Sequence, residues 1–546
     1  MDRVDRFFDS YHTLDMEDLT LPCFKDHPLR AKYYKASVTQ QEEFPPMEEG
    51  AKIGEADLNF NSNVVITKTK FGVSGIIFDR VPQMPAVCPL NEYACLRNRV
   101  ICVKQPYHRD IVEEFLLYIH TVWEKVLFGD TKIRDVRAMV FENYAARFPK
   151  KKANMLWRGL EETNYDGNFS ALRSAFVKLE KKIKTLLDSA GKYLRPRLIQ
   201  AASPEQNSQI GPWIKAFTDV AKSIMNEDHW IFYTPGSDCT TIGQYVEDAF
   251  TEEILEDDFS AYDLLHPYIL KFENYIYEQC GCPPDRLKYL KKQLVTRGYT
   301  RSGIYYACRG NRKSGDPQTS IGNSMDNAMV HAFAIWKTFG VHIWDFGKMC
   351  VCGDDNLILP RKTSNRFGQV ADVLRQLGFR PKMVVKRDLH KANYCSCTFL
   401  PGILHGERVM VLSPCVAKSL LKMGYTYTRI NPDKFPVYNY CIARGMLNFV
   451  NHVPCLSEAY KSMLRIGKPA TSRGERVVER MVLEQYWDNS EDPRILEHPE
   501  TMELLADRYD VDIHELEALR VKLAGLQVLP FRVHDNGLLD WMLKQD

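Results

Sequence analysis

The stretch MCVCGDDNLIL, residues 349–359, leaves the backbone little choice. Four mostly apolar residues lead into Gly353-Asp354-Asp355, and Asn356-Leu357-Ile358-Leu359 leads out. Segments this short and apolar, joined by a glycine, read as two buried strands with a tight turn between them. The hairpin then carries two adjacent carboxylates at its tip, where like charges repel and desolvation is costly. Either the tip is an ordinary turn or it holds a divalent cation. Successive side chains leave an extended backbone on opposite faces, so Asp354 and Asp355 cannot address one ion alike, and one of them is the principal ligand. Alone the tripeptide is weak, since about one chain in ten of this length contains it by chance.

A chain of 546 residues is long for one core, and two or three subdomains of ~100–200 residues are expected. The net charge of +2 conceals an asymmetry: residues 147–200 carry 13 Lys/Arg against 5 Asp/Glu, and residues 237–263 carry nine Asp/Glu and no Lys or Arg. Neighbouring blocks of opposite sign suggest a basic wall for phosphates beside an acidic site for metal ions, although a charge run by itself is usually a solvated face.

No tract of ~20 apolar residues is present to span a bilayer, and the N-terminal MDRVDRFFDSYHTLDMEDL is too acidic for a secretory signal, so a soluble intracellular chain is expected. The 15 cysteines are scattered, as for reduced thiols. The pairs Cys280/Cys282, Cys350/Cys352 and Cys395/Cys397 have C-x-C spacing; Cys395 and Cys397 with His390 make a partial zinc set without a fourth ligand nearby, and small buried residues are the simpler reading.

No repeat or low-complexity segment stands out. The first 60 residues are acidic and proline-broken, an extension with little core of its own. Within DIVEEFLLYIHTVWEKVLF, Val112, Phe115, Leu116, Ile119, Val122, Trp123 and Val126 share one helical face, which reads as core. Strand-like and helix-like segments alternate from about residue 230 to 401, and helices dominate after Gly402.

Two further constellations accompany the hairpin. In EDDFSAYDLLHP, Asp258 and Asp263 follow the possible strand EEILE and precede the helix LLHPYILKFENYIY. A strand end that delivers Asp258 beside Asp354 makes the oxygen-rich site that Mg2+ prefers, and two such ions serve in-line attack at phosphorus. Without a partner at Asp354, Asp258 reads as a helix cap. In RKSGDPQTSIGNSMDNAMVHAFAIW, Ser314-Gly315 forms a loop before a helix with Ile321, Met325, Met329, Ala332 and Trp336 on its apolar side. Thr319 and Asn323, four apart, point the same way; the plain alternative is a capped helix with polar residues in water.

DFSAYD, SGDPQTSIGN and GDD, in this order, resemble motifs A, B and C of viral RNA-dependent RNA polymerases. FVKLEKK and RPRLIQ, within residues 176–200, are similar to motif F of the tombusvirus-like members, and DFS and SGDPQTS resemble the nodavirus-like ones. The resemblance covers about residues 170–400. It implies an α+β right-hand polymerase with a small antiparallel palm sheet flanked by helices and a helical thumb. The implied layout is an N-terminal extension (1–59), fingers (60–229 and 275–319), palm (230–274 and 320–401) and thumb (402–546).

The same resemblance implies a viral enzyme that copies an RNA template into RNA and replicates a positive-strand genome by a two-metal mechanism. Asp258 and Asp354 would be the chief ligands of two Mg2+ ions, with Mn2+ an alternative and Asp355 assisting. Asp263 and Asn323 would recognise the ribose 2′-hydroxyl, with Ser314, Gly315 and Thr319 in the closing loop. Lys178, Lys181, Arg195 and Arg197 would hold the triphosphate of the incoming ribonucleotide. RFGQVADVLRQLGFRPKMVVKRD is similar to motif D, where Lys382 or Lys386 would act as general acid. YCSCTFLPG is similar to motif E, with Ser396 and Cys397 supporting the primer end. Implied partners are template and nascent RNA, ribonucleoside triphosphates and other replication proteins or a membrane anchor, at membrane-associated complexes in the host cytoplasm.

Two departures stand against the pattern: Pro317 stiffens the motif B loop, and TLLDSAG interrupts motif F. A reverse transcriptase is disfavoured because Asp263 and Asn323 suit a 2′-hydroxyl. A non-catalytic RNA-binding scaffold is disfavoured because all the carboxylates are present. IGKPATS lacks the first glycine of a P-loop, against a helicase.

Overall fold

The computed structural model describes residues 36–40, 44–54, 64–68, 72–80, 82, 84–166, 171–181, 183, 196–292, 294–426, 430–483 and 495–546. At its centre lies a sheet of five strands: β1 (Ile231–Tyr233), β2 (Ile254–Asp258), β3 (Gly347–Cys352), β4 (Asp355–Pro360) and β5 (Val384–Lys386). Their order is β5-β2-β4-β3-β1. Three of the neighbouring pairs are antiparallel, and β1 runs parallel to β3, so the sheet is mixed where an antiparallel one was expected. The apolar runs follow from burial on both faces. Tyr233, Leu255, Met349, Val351 and Ile358 enter one core, while Phe232, Ile254, Cys350, Leu357 and Leu359 enter another on the opposite side.

Five helices bear on the site: α1 (Arg109–Phe128), α2 (Pro204–Ile224), α3 (Pro267–Gln279), α4 (Thr319–Phe339) and α5 (Phe367–Gln376). On α1, Val112, Phe115, Ile119, Trp123 and Val126 are buried, and Leu116 and Val122 pack against the same core. Helix α4 is buried all round from Ile321 to Ile335, between the sheet and α1, α3 and α5. Its polar residues Asn323, Ser324, Asp326, Asn327 and His331 therefore face protein, and the plain expectation of a polar face in water does not hold.

A second five-stranded sheet joins Arg173–Val177 and Leu198–Ala201 from the basic region to Val295–Thr300, Tyr305–Arg309 and Lys52–Gly54. Beyond β5, the hairpin Cys397–Leu404/Glu407–Pro414 leads into seven helices among the described residues; position 402 lies inside its first strand. The segment from Gly72 to Phe78 inserts into this helical region. Gly72–Val73 pairs with Tyr425–Thr426, Ile76–Ile77 pairs with Phe531–Arg532, and Ile76 and Phe78 join its core. Gly424 is required there, because a Cβ would lie 1.9 Å from the Ile76 carbonyl oxygen.

Candidate active site

Strands β3 and β4 are joined by a two-residue turn, Gly353 and Asp354, with Asp355 already paired to Cys352. Gly353 adopts φ +68°, the left-handed region that glycine enters freely. Helix α4 fixes the turn from beneath. The Gly353 N–H donates to Ser324 Oγ (2.8 Å), Asn327 Nδ2 donates to the Gly353 carbonyl (3.0 Å), and Asn356 Nδ2 donates to Asn327 Oδ1 (2.9 Å). Ser320, whose hydroxyl meets Tyr233 (2.8 Å), precedes these on the same face. The stripe Ser320, Ser324, Asn327, His331 has i, i+4, i+7, i+11 spacing, a second polar face visible in the sequence beside the one that carries Thr319 and Asn323.

Asp258 ends β2 directly opposite Asp355, which begins β4. Directly opposed residues of an antiparallel pair have Cα atoms about 4.5–5.5 Å apart. Burial raises the Asp354 pKa, and the charges of Asp263 and Asp258 raise it further, while Arg197 counteracts them. Asp355 is pushed up to about 7 by burial and by Asp354 and Asp258, with the Cys395 thiol and Lys418 opposing. The four carboxylates expected to act together thus feel one another. Lys382 joins them, its Nζ 2.6 Å from Asp258 Oδ2. Its own N–H donates to Asp257 Oδ1 (2.7 Å), and buried His331 Nε2 lies 3.1 Å from Asp257 Oδ2. Lys386 lies opposite Ile254 at the far end of β2, where its charge acts on Glu256.

The loop before α4 is drawn against the second sheet. Ser314 Oγ donates to the Leu198 carbonyl (3.3 Å), and Gly315 bridges to Ala201. Gly315 is required by this approach, since a Cβ would lie 2.6 Å from Ala201 Cα and from the Gln200 oxygen. Asp316 forms a buried ion pair with Arg173 (2.7 Å), and Thr319 Oγ1 donates to the Lys313 carbonyl (2.8 Å). Asn323 is buried, with its Oδ1 accepting from Arg312 Nε (2.6 Å). Arg312, Arg173 and Asp316 were not singled out from the sequence; nothing in their spacing separates buried ion pairs from surface charge.

Of the basic residues, Arg197 acts on Asp354, and Lys178 pairs with Glu180 (2.5 Å). Lys181 donates to the carbonyls of Lys422 (2.8 Å) and Tyr425 (2.7 Å), so it ties the basic segment to the C-terminal helices, and burial lowers its pKa to about 8. Arg195 lies outside the described residues. Ser396 (φ +62°) sits in the tight turn that opens the Cys397 strand, and the neighbouring Cys395 thiol reaches Asp355.

Among the described residues no group of three or more His, Cys, Asp or Glu side chains stands ready as a metal-ligand set. For zinc, the reason is visible: His390 is bound to Asp507 (2.6 Å) and Cys395 to Cys352. For the carboxylates, Lys382 supplies a positive charge to Asp258. An all-oxygen donor set of mutually repelling carboxylates nevertheless fits a hard divalent cation, whose charge would offset what raises Asp354 and Asp355.

Residues 268–500 match the family model described as viral RNA dependent RNA polymerase. Through this stretch, less than half of its length, the chain is similar to viral RNA-dependent RNA polymerases. The stretch contains Ser314, Gly315, Thr319, Asn323, Asp354 and Asp355 and begins beyond Asp258 and Asp263. A protein of barley yellow dwarf virus (isolate P-PAV) described as an RNA-directed RNA polymerase is 26% identical over 307 residues, 53% of this chain and 33% of that protein. The genome polyprotein of classical swine fever virus (strain Brescia) is 35% identical over 100 residues, 17% of this chain and 2% of the polyprotein. That of bovine viral diarrhea virus (strain SD-1) is 33% identical over 113 residues, 19% of this chain and 3% of the polyprotein. The chain therefore spans a third of the first relative's length and a few per cent of the others'.

Proposed function

We propose that this chain catalyses template-directed nucleotidyl transfer from ribonucleoside triphosphates onto RNA and replicates a positive-strand RNA genome. The observation that carries the reading is the meeting of Asp258 and Asp355 across β2 and β4, with Asp354 at the turn beside them. Asp258 and Asp354 would hold the metal ions and Asp355 would assist. Bound Mg2+ or Mn2+ supplies activation of the attacking hydroxyl and neutralisation of the leaving pyrophosphate. Asp263 and Asn323 would read the ribose. Arg197, with Lys178 and Arg195, would receive the triphosphate. Lys382, beside Asp258, is favoured over Lys386 as proton donor to pyrophosphate, and Ser396 and Cys397 would support the primer end.

The layout is read as fingers (60–229, 275–319), palm (230–274, 320–401) and thumb (402–546), with the central sheet as the palm. Among the described residues no helix is long and apolar enough to cross a membrane. Action at membrane-associated complexes in the host cytoplasm, through a partner, is part of the same proposal. The test is incorporation of labelled ribonucleotides by purified protein on a defined RNA, with and without primer. Product that does not depend on template sequence, or no product under either condition with Mg2+ or Mn2+, sinks the reading.

A further inference from the structure

Arg312 touches both residues assigned to the sugar. Its backbone N–H donates to the Asp263 carbonyl (2.8 Å), and its side-chain Nε donates to Asn323 Oδ1 (2.6 Å). The guanidinium is 2% exposed and its remaining fork is anchored: Nη2 donates to Asp326 Oδ2 (2.8 Å) and to Glu273 Oε2. Glu273 is held in turn by the Tyr277 hydroxyl (2.7 Å), and the Asn323 carbonyl accepts from Tyr262 (3.2 Å). The helix is shaped around this anchor. A Cβ on Gly322 would lie 2.7 Å from Glu273 Oε1 and 3.0 Å from Arg312 Nη1.

A guanidinium donates hydrogen bonds and accepts none. The Asn323 carboxamide must therefore turn its oxygen to Arg312, which leaves its NH2 as the group offered to a nucleotide. From this we infer that Arg312 is a positioning residue for sugar selection. It fixes Asn323 as a donor and ties it to the segment that carries Asp263, an acceptor. The 2′-hydroxyl is then read in both capacities at once, accepting from Asn323 Nδ2 and donating to the Asp263 carboxylate. The inference rests on the assignment of these two residues to the ribose under the proposed function.

The test is single-nucleotide incorporation by the full chain with ATP, dATP and 2′-fluoro-2′-deoxy-ATP, comparing wild type with Arg312→Lys and Asn323→Asp. Lysine keeps a charge between Glu273 and Asp326 and loses the fork that reaches Asn323. Aspartate keeps the acceptor for Arg312 and loses the donor. Both variants are expected to lower the ribo-to-deoxy ratio of kcat/KM by roughly tenfold or more, through ATP rather than dATP. In wild type the fluoro analogue, which accepts and cannot donate, falls between the two.

Equal losses with ATP and dATP in Arg312→Lys overturn the role, because a merely structural lesion does not sort sugars. Undiminished selectivity in Asn323→Asp overturns it as well, and decides the matter where the lysine variant does not fold. Wild-type protein that incorporates no nucleotide overturns the polymerase reading itself and the inference with it. A wild type that selects ribonucleotides and an Asn323→Asp that loses selectivity, beside an Arg312→Lys with an unchanged ratio, overturn only the part given to Arg312.

Discussion

Asp258 and Asp355 stand directly opposite each other, the last residue of β2 against the first of β4, so two residues 97 positions apart in sequence present facing carboxylates. Sheet pairing fixes this juxtaposition, and a slip of one residue would send either side chain to the other face.

Removal of the ligands is expected to separate chemistry from binding. Asp258→Ala and Asp354→Ala each abolish nucleotide incorporation, while affinity for RNA in a filter-binding assay stays within about threefold of wild type, because such affinity comes mainly from cationic contacts to phosphate and a carboxylate supplies none. Full activity in either variant contradicts the metal assignment.

Asp355 gives a pH dependence with a defined sign. Its pKa rises from 3.8 to about 7 on folding. Below the lower value the carboxyl is protonated in folded and unfolded chains alike. Between the two the unfolded chain gives up its proton first, so this contribution to stability is lost as pH rises to about 7. Asp355→Asn removes that slope. A divalent cation competes with the same proton, so added Mg2+ raises Tm more at about pH 8 than at about pH 6. A Mg2+ shift in Tm that ignores pH over this range would argue against ion binding at these carboxylates.

The two lysines after α5 are expected to differ. Lys382→Leu lowers the incorporation rate by roughly 10²–10⁴-fold, the range for loss of a general acid, whereas Lys386→Leu changes it by less than about threefold. Rapid-quench measurement of one turnover separates the two, and equal effects would remove the preference for Lys382.

Much of this site was legible because its elements are local. The runs around Gly353 could form only short strands, α1 and α4 announced themselves by apolar spacing, and Asp258, Asp263 and Asn323 sat in recognisable motifs. The family match takes in Asn323 and the Gly353 turn and begins beyond Asp258 and Asp263. What stayed hidden depends on long-range pairing. The parallel addition of β1 to β3 joins segments more than a hundred residues apart, and nothing in Ile231–Tyr233 specifies direction. The burial of α4 on its polar side follows from the turn it supports, and the diversion of Lys181 to Lys422 and Tyr425 follows from the C-terminal helices that reach it. A lysine in a basic run reads the same whether it meets phosphate or a carbonyl.

The Arg173–Asp316 pair marks one place where the molecule is fragile. It joins a strand of the second sheet to the loop before α4, with side chains 1% and 0% exposed and Nη1 2.7 Å from Oδ1. Arg173 also brings Nη2 to Oδ2 at 3.3 Å, so the contact is two-pronged. Burial raises the Asp316 pKa while Arg173 and Lys313 lower it, so the carboxylate depends on its cationic neighbours. Arg173→Ala strands that group in the interior and is expected to cost roughly 3–5 kcal/mol, whereas Arg173→Met with Asp316→Leu, which removes both charges and keeps volume, costs much less. Urea unfolding followed by tryptophan fluorescence compares the midpoints. A midpoint for Arg173→Ala equal to that of wild type would mean that the pair contributes nothing to holding the loop on the sheet.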